Sequence, residues 1–183
     1  MVCPTEALWS KPTLSRFVYF KLLTMIPVSA ALIGITRYAG SVLWVGGYVG
    51  LCLCHAAIMN AIKCPHCPYY KMGDKNFSCF MWWATPRLYK PRPGPESRFV
   101  GIYAPFGMLV LTAFPLFWLW HAWELLFLYL LSIVVLVLSI GEHQCSRCLN
   151  FKCGHNTVSE TLRREYLETG GPLESSVPLS REQ

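Results

Sequence analysis

Four long apolar runs constrain this chain more than any other feature of its sequence. They are Phe17–Thr36, Val42–Ile62, Val100–Trp120 and Trp123–Ile140, each 18 to 21 residues long. A helix needs about 20 such residues to cross ~30 Å of hydrocarbon. Buried helices of a soluble domain carry amphipathic stripes, whereas these runs are apolar around most of their circumference. Composition agrees: the 183 residues are 54% hydrophobic and 14% charged, with mean hydropathy +0.37, against about 25% charged in soluble domains. The first run is longer than a signal-peptide core and lacks a clean small-x-small cleavage site, so it reads as a span. Lys21, one turn inside it, can snorkel to the headgroups. The expected fold is an all-α integral membrane protein whose four transmembrane helices form two hairpins.

The basic residues set the threading. Of the 16 Lys and Arg, only Arg37 falls in the turn between the first two runs. The rest precede or open the first run, fill the central connection or follow the last run. The positive-inside rule then makes both termini and the central loop cytoplasmic. The net charge of +6 serves threading and lipid contact rather than nucleic-acid binding. Trp44, Trp118, Trp120 and Trp123 gather at the opposite ends, as boundary anchors do.

The chain divides into an N-terminal segment with the first hairpin (1–62), a cytoplasmic Cys-containing loop (63–99), the second hairpin (100–140), a Cys/His cluster with a short helix (141–169), and a tail (170–183). Gly46 and Gly50 form a G-x-x-x-G step suited to close helix approach. Pro27, Pro105 and Pro115 should kink or loosen their helices. Thr157-x-x-Glu160 reads as a capping box for an amphipathic helix with Val158, Leu162 and Tyr166 on one face, stopped by Gly170-Gly171-Pro172. The Gly-, Pro- and Ser-rich tail has the composition of disorder, and Pro86–Pro95 reads as an extended lead-in to the third span. No internal repeat is evident on inspection.

Six of the nine cysteines fall in two clusters: Cys64-Pro-His-Cys67 with Cys79, and Cys145-x2-Cys148-x4-Cys153 with His155. Each cluster begins just past the cytoplasmic end of a span, so the threading delivers both to one face. A reducing compartment disfavours structural disulfides. Paired C-x-x-C turns suit a soft metal instead, since two sulfurs three residues apart can reach one ion at ~2.3 Å. One arrangement shares an ion among Cys64, Cys67, Cys145 and Cys148. The other gives Cys145, Cys148, Cys153 and His155 one ion, and Cys64, Cys67 and Cys79 another, with His66 or His143 completing it. Zinc is the first choice because it takes His readily. An iron–sulfur cluster is the second, although neither common ferredoxin spacing is present.

Cys64-Pro-His-Cys67 resembles the active-site tetrapeptide of DsbA-type thiol oxidases, and four spans bearing a thiol pair resemble the DsbB and vitamin K epoxide reductase classes. That resemblance implies a membrane thiol–disulfide oxidoreductase using Cys64 and Cys67. Against it, Cys64 follows a helix C-terminus, where the dipole opposes thiolate. Cys52 and His55 share a face of the second span and suggest a soft-metal carrier. A small apolar Cys and an interhelical His explain them more simply. The functional expectation is a subunit or membrane anchor of a redox or transport assembly. Its partners would be the lipid bilayer and other membrane subunits or a cytoplasmic protein.

Overall fold

The computed structural model describes residues 8–9, 11–72, 75–92 and 97–168. Four helical stretches are long and apolar enough to cross a membrane: Leu14–Tyr38, Val42–His66, Arg98–Leu119 and Trp123–Arg147. Within them lie α1 (Leu14–Tyr38), α2 (Val42–Ile62), α4 (Arg98–Ala113), α5 (Leu116–Leu119) and α6 (Trp123–Ser139). Between the hairpins come a single turn, α3 (Pro68–Lys71), and the two-residue strands β1 (Asn76–Phe77) and β2 (Thr85–Pro86), paired antiparallel. The last element is α7 (Glu160–Glu168). The tail, the Gly170-Gly171-Pro172 stop and part of the proline-rich lead-in lie outside the described residues.

Large apolar side chains such as Leu22, Val42, Leu43, Ile102, Phe117 and Val137 are exposed on the spans, as expected of helices whose solvent is lipid. The core is correspondingly thin. Ala30, Ala31, Ile35, Tyr48, Trp118, Leu119 and Tyr129 form its buried centre. A Cβ on Gly34 would come within 2.5 Å of Leu119 Cδ2, so the missing side chain makes room for Leu119, one of the buried core residues with Ala30 and Ala31. Gly46 and Gly50 have nothing within 4 Å of where a Cβ would stand. The expected G-x-x-x-G contact is therefore not made among the described residues. The Tyr129 hydroxyl donates to the Thr112 carbonyl (2.9 Å), tying the fourth span to the third.

Proline acts unevenly. α1 and α4 run through Pro27 and Pro105 without interruption. The third span breaks only at Pro115, which separates α4 from α5. The fourth span continues past α6 through a π turn (Ile140–Gln144) into a 3-10 turn (Cys145–Arg147). The second likewise runs into a 3-10 turn at Cys64–His66. Each C-x-x-C pair is thus begun by the last turn of a span rather than by a loop beyond it.

The two halves repeat one another. The second and fourth spans are both 25 residues, and their ends (42 and 123, 66 and 147) are offset by 81 positions. The first and third end at Tyr38 and Leu119, again 81 apart. Ser15-Arg-Phe-Val18 recurs as Ser97-Arg-Phe-Val100, and Cys64-x2-Cys67-x2-Tyr70-Lys71 as Cys145-x2-Cys148-x2-Phe151-Lys152. Tyr48 and Tyr129, at the same offset, are both in the buried core. Packing follows the exchange of halves: the first span meets the fourth, and the second meets the third. The molecule is a tandem pair of helical hairpins, each ending in the same cysteine turn.

Candidate functional site

The two cysteine turns have the same backbone. Lys63 (φ −100°, ψ −46°) and Gln144 (φ −99°, ψ −51°) precede them. Cys67 (−79°, 136°) and Cys148 (−84°, 132°) end them in extended geometry. The Cys67 N–H donates to the Cys64 carbonyl at 3.0 Å and the Cys148 N–H to the Cys145 carbonyl at 3.4 Å. Proline at 65 in one turn and serine at 146 in the other are tolerated because the first residues of a 3-10 turn need no N–H donor.

Each turn then supplies its second sulfur with a donor. The Asn150 N–H reaches Cys148 Sγ at 3.4 Å, and the Tyr69 N–H hydrogen-bonds Cys67 in the equivalent way. Cys79 receives the N–H groups of Met81 and Trp82, and the Trp82 indole bonds Cys64. Donors aimed at sulfur favour thiolate over thiol. Burial works the other way: it pushes Cys148 up to about 11 and holds Cys67 and Cys79 above the ordinary thiol range. The sulfurs thus carry donors that favour thiolate and a burial that opposes it, in side chains that remain partly exposed.

The thiols influence one another electrostatically. Cys67 is within electrostatic reach of Cys64, Cys79 and Cys148. Cys148 is within reach of Cys145, Cys153 and Cys79. Lys63 acts on both Cys64 and Cys145, and Lys21 on Cys79. A second apolar cluster holds the group together: Leu8, Tyr69, Leu149 and Tyr166 are buried, with Cys67, Cys79 and Cys148 packed against them. The Tyr69 hydroxyl donates to the Trp9 carbonyl at 2.6 Å and accepts the Leu149 N–H at 3.5 Å, joining the N-terminal lead-in, the first turn and the second. A cavity of about 20 Å³, room for roughly one water-sized particle, is lined by Cys79, Cys148, Tyr69 and Gln144 among others. Gln144 Oε1 is buried without a hydrogen-bond partner among the described residues.

Among the described residues, no three His, Cys, Asp or Glu side chains stand in a ready-made ligating arrangement. His155 and His143 are exposed, and His66 Nδ1 is buried without a hydrogen-bond partner. All eight described cysteines are free thiols.

The amphipathic helix belongs to this site. Val158, Leu162 and Tyr166 pack on the cysteine cluster. Its N-cap is Ser159, whose Oγ accepts the Leu162 N–H (3.4 Å), rather than Thr157. Thr157 is drawn to the end of the fourth span, where its hydroxyl donates to Gly141 O (3.3 Å) and its N–H to Cys145 O (3.3 Å).

The intramembrane constellation is divided. Cys52 packs against the bundle core and Cys54 is exposed. His55 stacks on Tyr103 (5.6 Å between centroids) in space that Gly107 leaves open. Comparison with known proteins finds no matching family model, no matching curated protein and no matching solved structure.

Proposed function

We propose that the chain is a four-span membrane protein whose two cysteine turns hold a soft metal at the cytoplasmic face. Zinc is the first candidate and an iron–sulfur cluster the second. The protein then serves as a subunit or anchor of a redox or transport assembly. One observation carries the reading: two turns of the same backbone geometry, from different hairpins, pack their second cysteines against one apolar cluster. Gln144 Oε1, without a hydrogen-bond partner among the described residues, leaves an acceptor free at the cavity that Cys79 and Cys148 also line. The basic bias of the connections supports the cytoplasmic placement. A nucleophilic thiol pair is less well supported, because attack requires an accessible, low-pKa thiolate, and Cys67 has the opposite character.

The experiment is a pair of single substitutions in the full-length protein. Cys148→Ser should release or weaken the metal and loosen the module, since metal-binding energy is folding energy in such sites. Metal content and fold unchanged in Cys148→Ser, with a thiol–disulfide turnover abolished by Cys64→Ser, would put the oxidoreductase reading in its place.

A further inference from the structure

We propose that the cleft between the first and fourth spans, at the end of the bundle that carries the cysteine turns, binds the phosphate headgroup of an anionic membrane lipid. This goes beyond the metal reading and stands without it, needing only that the spans lie in a bilayer.

The cleft has a volume of about 430 Å³ and is lined by Trp9, Ser15, Arg16, Tyr19, His143 and Gln144. That volume falls within the roughly 300–1,000 Å³ of small-ligand sites. Both spans are 25 residues, Leu14–Tyr38 and Trp123–Arg147. A helix of that length rises about 37 Å against ~30 Å of hydrocarbon, which puts its end turns at the headgroup level. The Tyr19 and Ser139 hydroxyls, 2.9 Å apart, join the two spans one turn deeper.

The cleft is built to donate. The Arg16 guanidinium lies 3.6 Å over the Trp9 ring and donates from Nη1 to the Lys11 carbonyl at 3.4 Å. Trp9 is itself fixed, its N–H on the Arg147 carbonyl (3.0 Å) and its carbonyl on the Tyr69 hydroxyl (2.6 Å). Among the described residues no carboxylate pairs with Arg16, so its other N–H groups are left for phosphate, which a guanidinium holds in bidentate fashion. Glu142, beside His143 in sequence, is exposed and is not part of the lining. Ser15 and His143 add a hydroxyl and an imidazole. Gln144 is buried with Oε1 unpartnered among the described residues, and its terminal amide can turn to present NH2 donors instead.

The repeat makes the cleft particular to one side of the molecule. His143 and Gln144 belong to the π turn Ile140–Gln144, and π turns are rare and frequent at functional sites. The second span has none there, α2 running unbroken to Ile62. Ser97-Arg-Phe-Val100 matches Arg98 with Arg16, but Gly101 then stands in the place of Tyr19. A place for acyl chain distinguishes a lipid from a soluble phosphate. Leu22 and Ile26 continue the Tyr19 face of the first span and are 64% and 46% exposed.

Native mass spectrometry of the full-length protein released from detergent, with phosphatidylglycerol or phosphatidylcholine added at equal concentration, tests this. Phosphatidylglycerol should be retained in preference to phosphatidylcholine. Its apparent affinity should fall about tenfold in Arg16→Gln, as loss of a charge-assisted hydrogen bond implies, and should also fall in His143→Ala. Arg98→Gln, the same charge change at the matching position of the other repeat, should leave it unchanged. Equal losses in Arg16→Gln and Arg98→Gln overturn the site in favour of diffuse attraction to anionic lipid. Equal retention of the two lipids overturns the anionic headgroup. Displacement of the lipid by inorganic phosphate gives the cleft to a soluble phosphate and overturns the lipid. Should Arg16→Gln fail to fold, His143→Ala decides: weaker binding supports the site, and unchanged binding overturns it.

Discussion

Cys67 and Cys148, 81 residues apart in sequence, occupy the same place in two turns of the same backbone conformation and pack against one apolar cluster that includes Tyr69. In the metal-stripped protein a short bifunctional thiol reagent should therefore join the peptide carrying Cys67 to the one carrying Cys148, read by mass spectrometry after digestion. Links confined to Cys64–Cys67 and Cys145–Cys148, with none across the hairpins, would count against the convergence.

Threading is tested independently. A membrane-impermeant maleimide added outside intact cells should leave Cys64, Cys67, Cys145 and Cys148 unlabelled and label them after permeabilisation. Burial alone does not mimic this result if Cys substituted for the exposed residues Lys152 and Ser159 behaves the same way. Labelling of those two positions from outside would reverse the topology.

Tyr69 is the hydroxyl on which three segments depend. Tyr69→Phe leaves the Trp9 carbonyl without its donor and the Leu149 N–H without its acceptor, a loss of about 1–3 kcal/mol where such groups are buried. Thermal unfolding in detergent, followed by thiol exposure at Cys148, should shift to lower temperature while the spans remain helical. An unchanged transition would mean that the apolar cluster alone holds the module.

Much of this was legible in the sequence, and the reasons for the exceptions are physical. The four spans announce themselves because lipid demands length and apolarity, and the two C-x-x-C pairs because their spacing recurs just at the ends of two spans. The repeat escaped notice because lipid-facing positions accept almost any apolar residue, so the hairpins share few identities. Ser-Arg-Phe-Val and the C-x2-C-x2-aromatic-Lys pattern were the surviving signals. The docking of α7 was not legible: Val158, Leu162 and Tyr166 define an apolar face, but a face does not name what it covers. Helix capping failed at Thr157 for a related reason, since tertiary contacts with Gly141 and Cys145 claimed that residue.

The central claim is that the paired cysteine turns bind metal, and elemental analysis of anaerobically purified protein tests it most directly. The account predicts zinc, or iron with acid-labile sulfide, at one or more per chain in the native protein. In the Cys67→Ser/Cys148→Ser variant the metal should fall to background while the helicity of the spans is retained. Metal at background in the native protein, or the same content in both proteins, would contradict it.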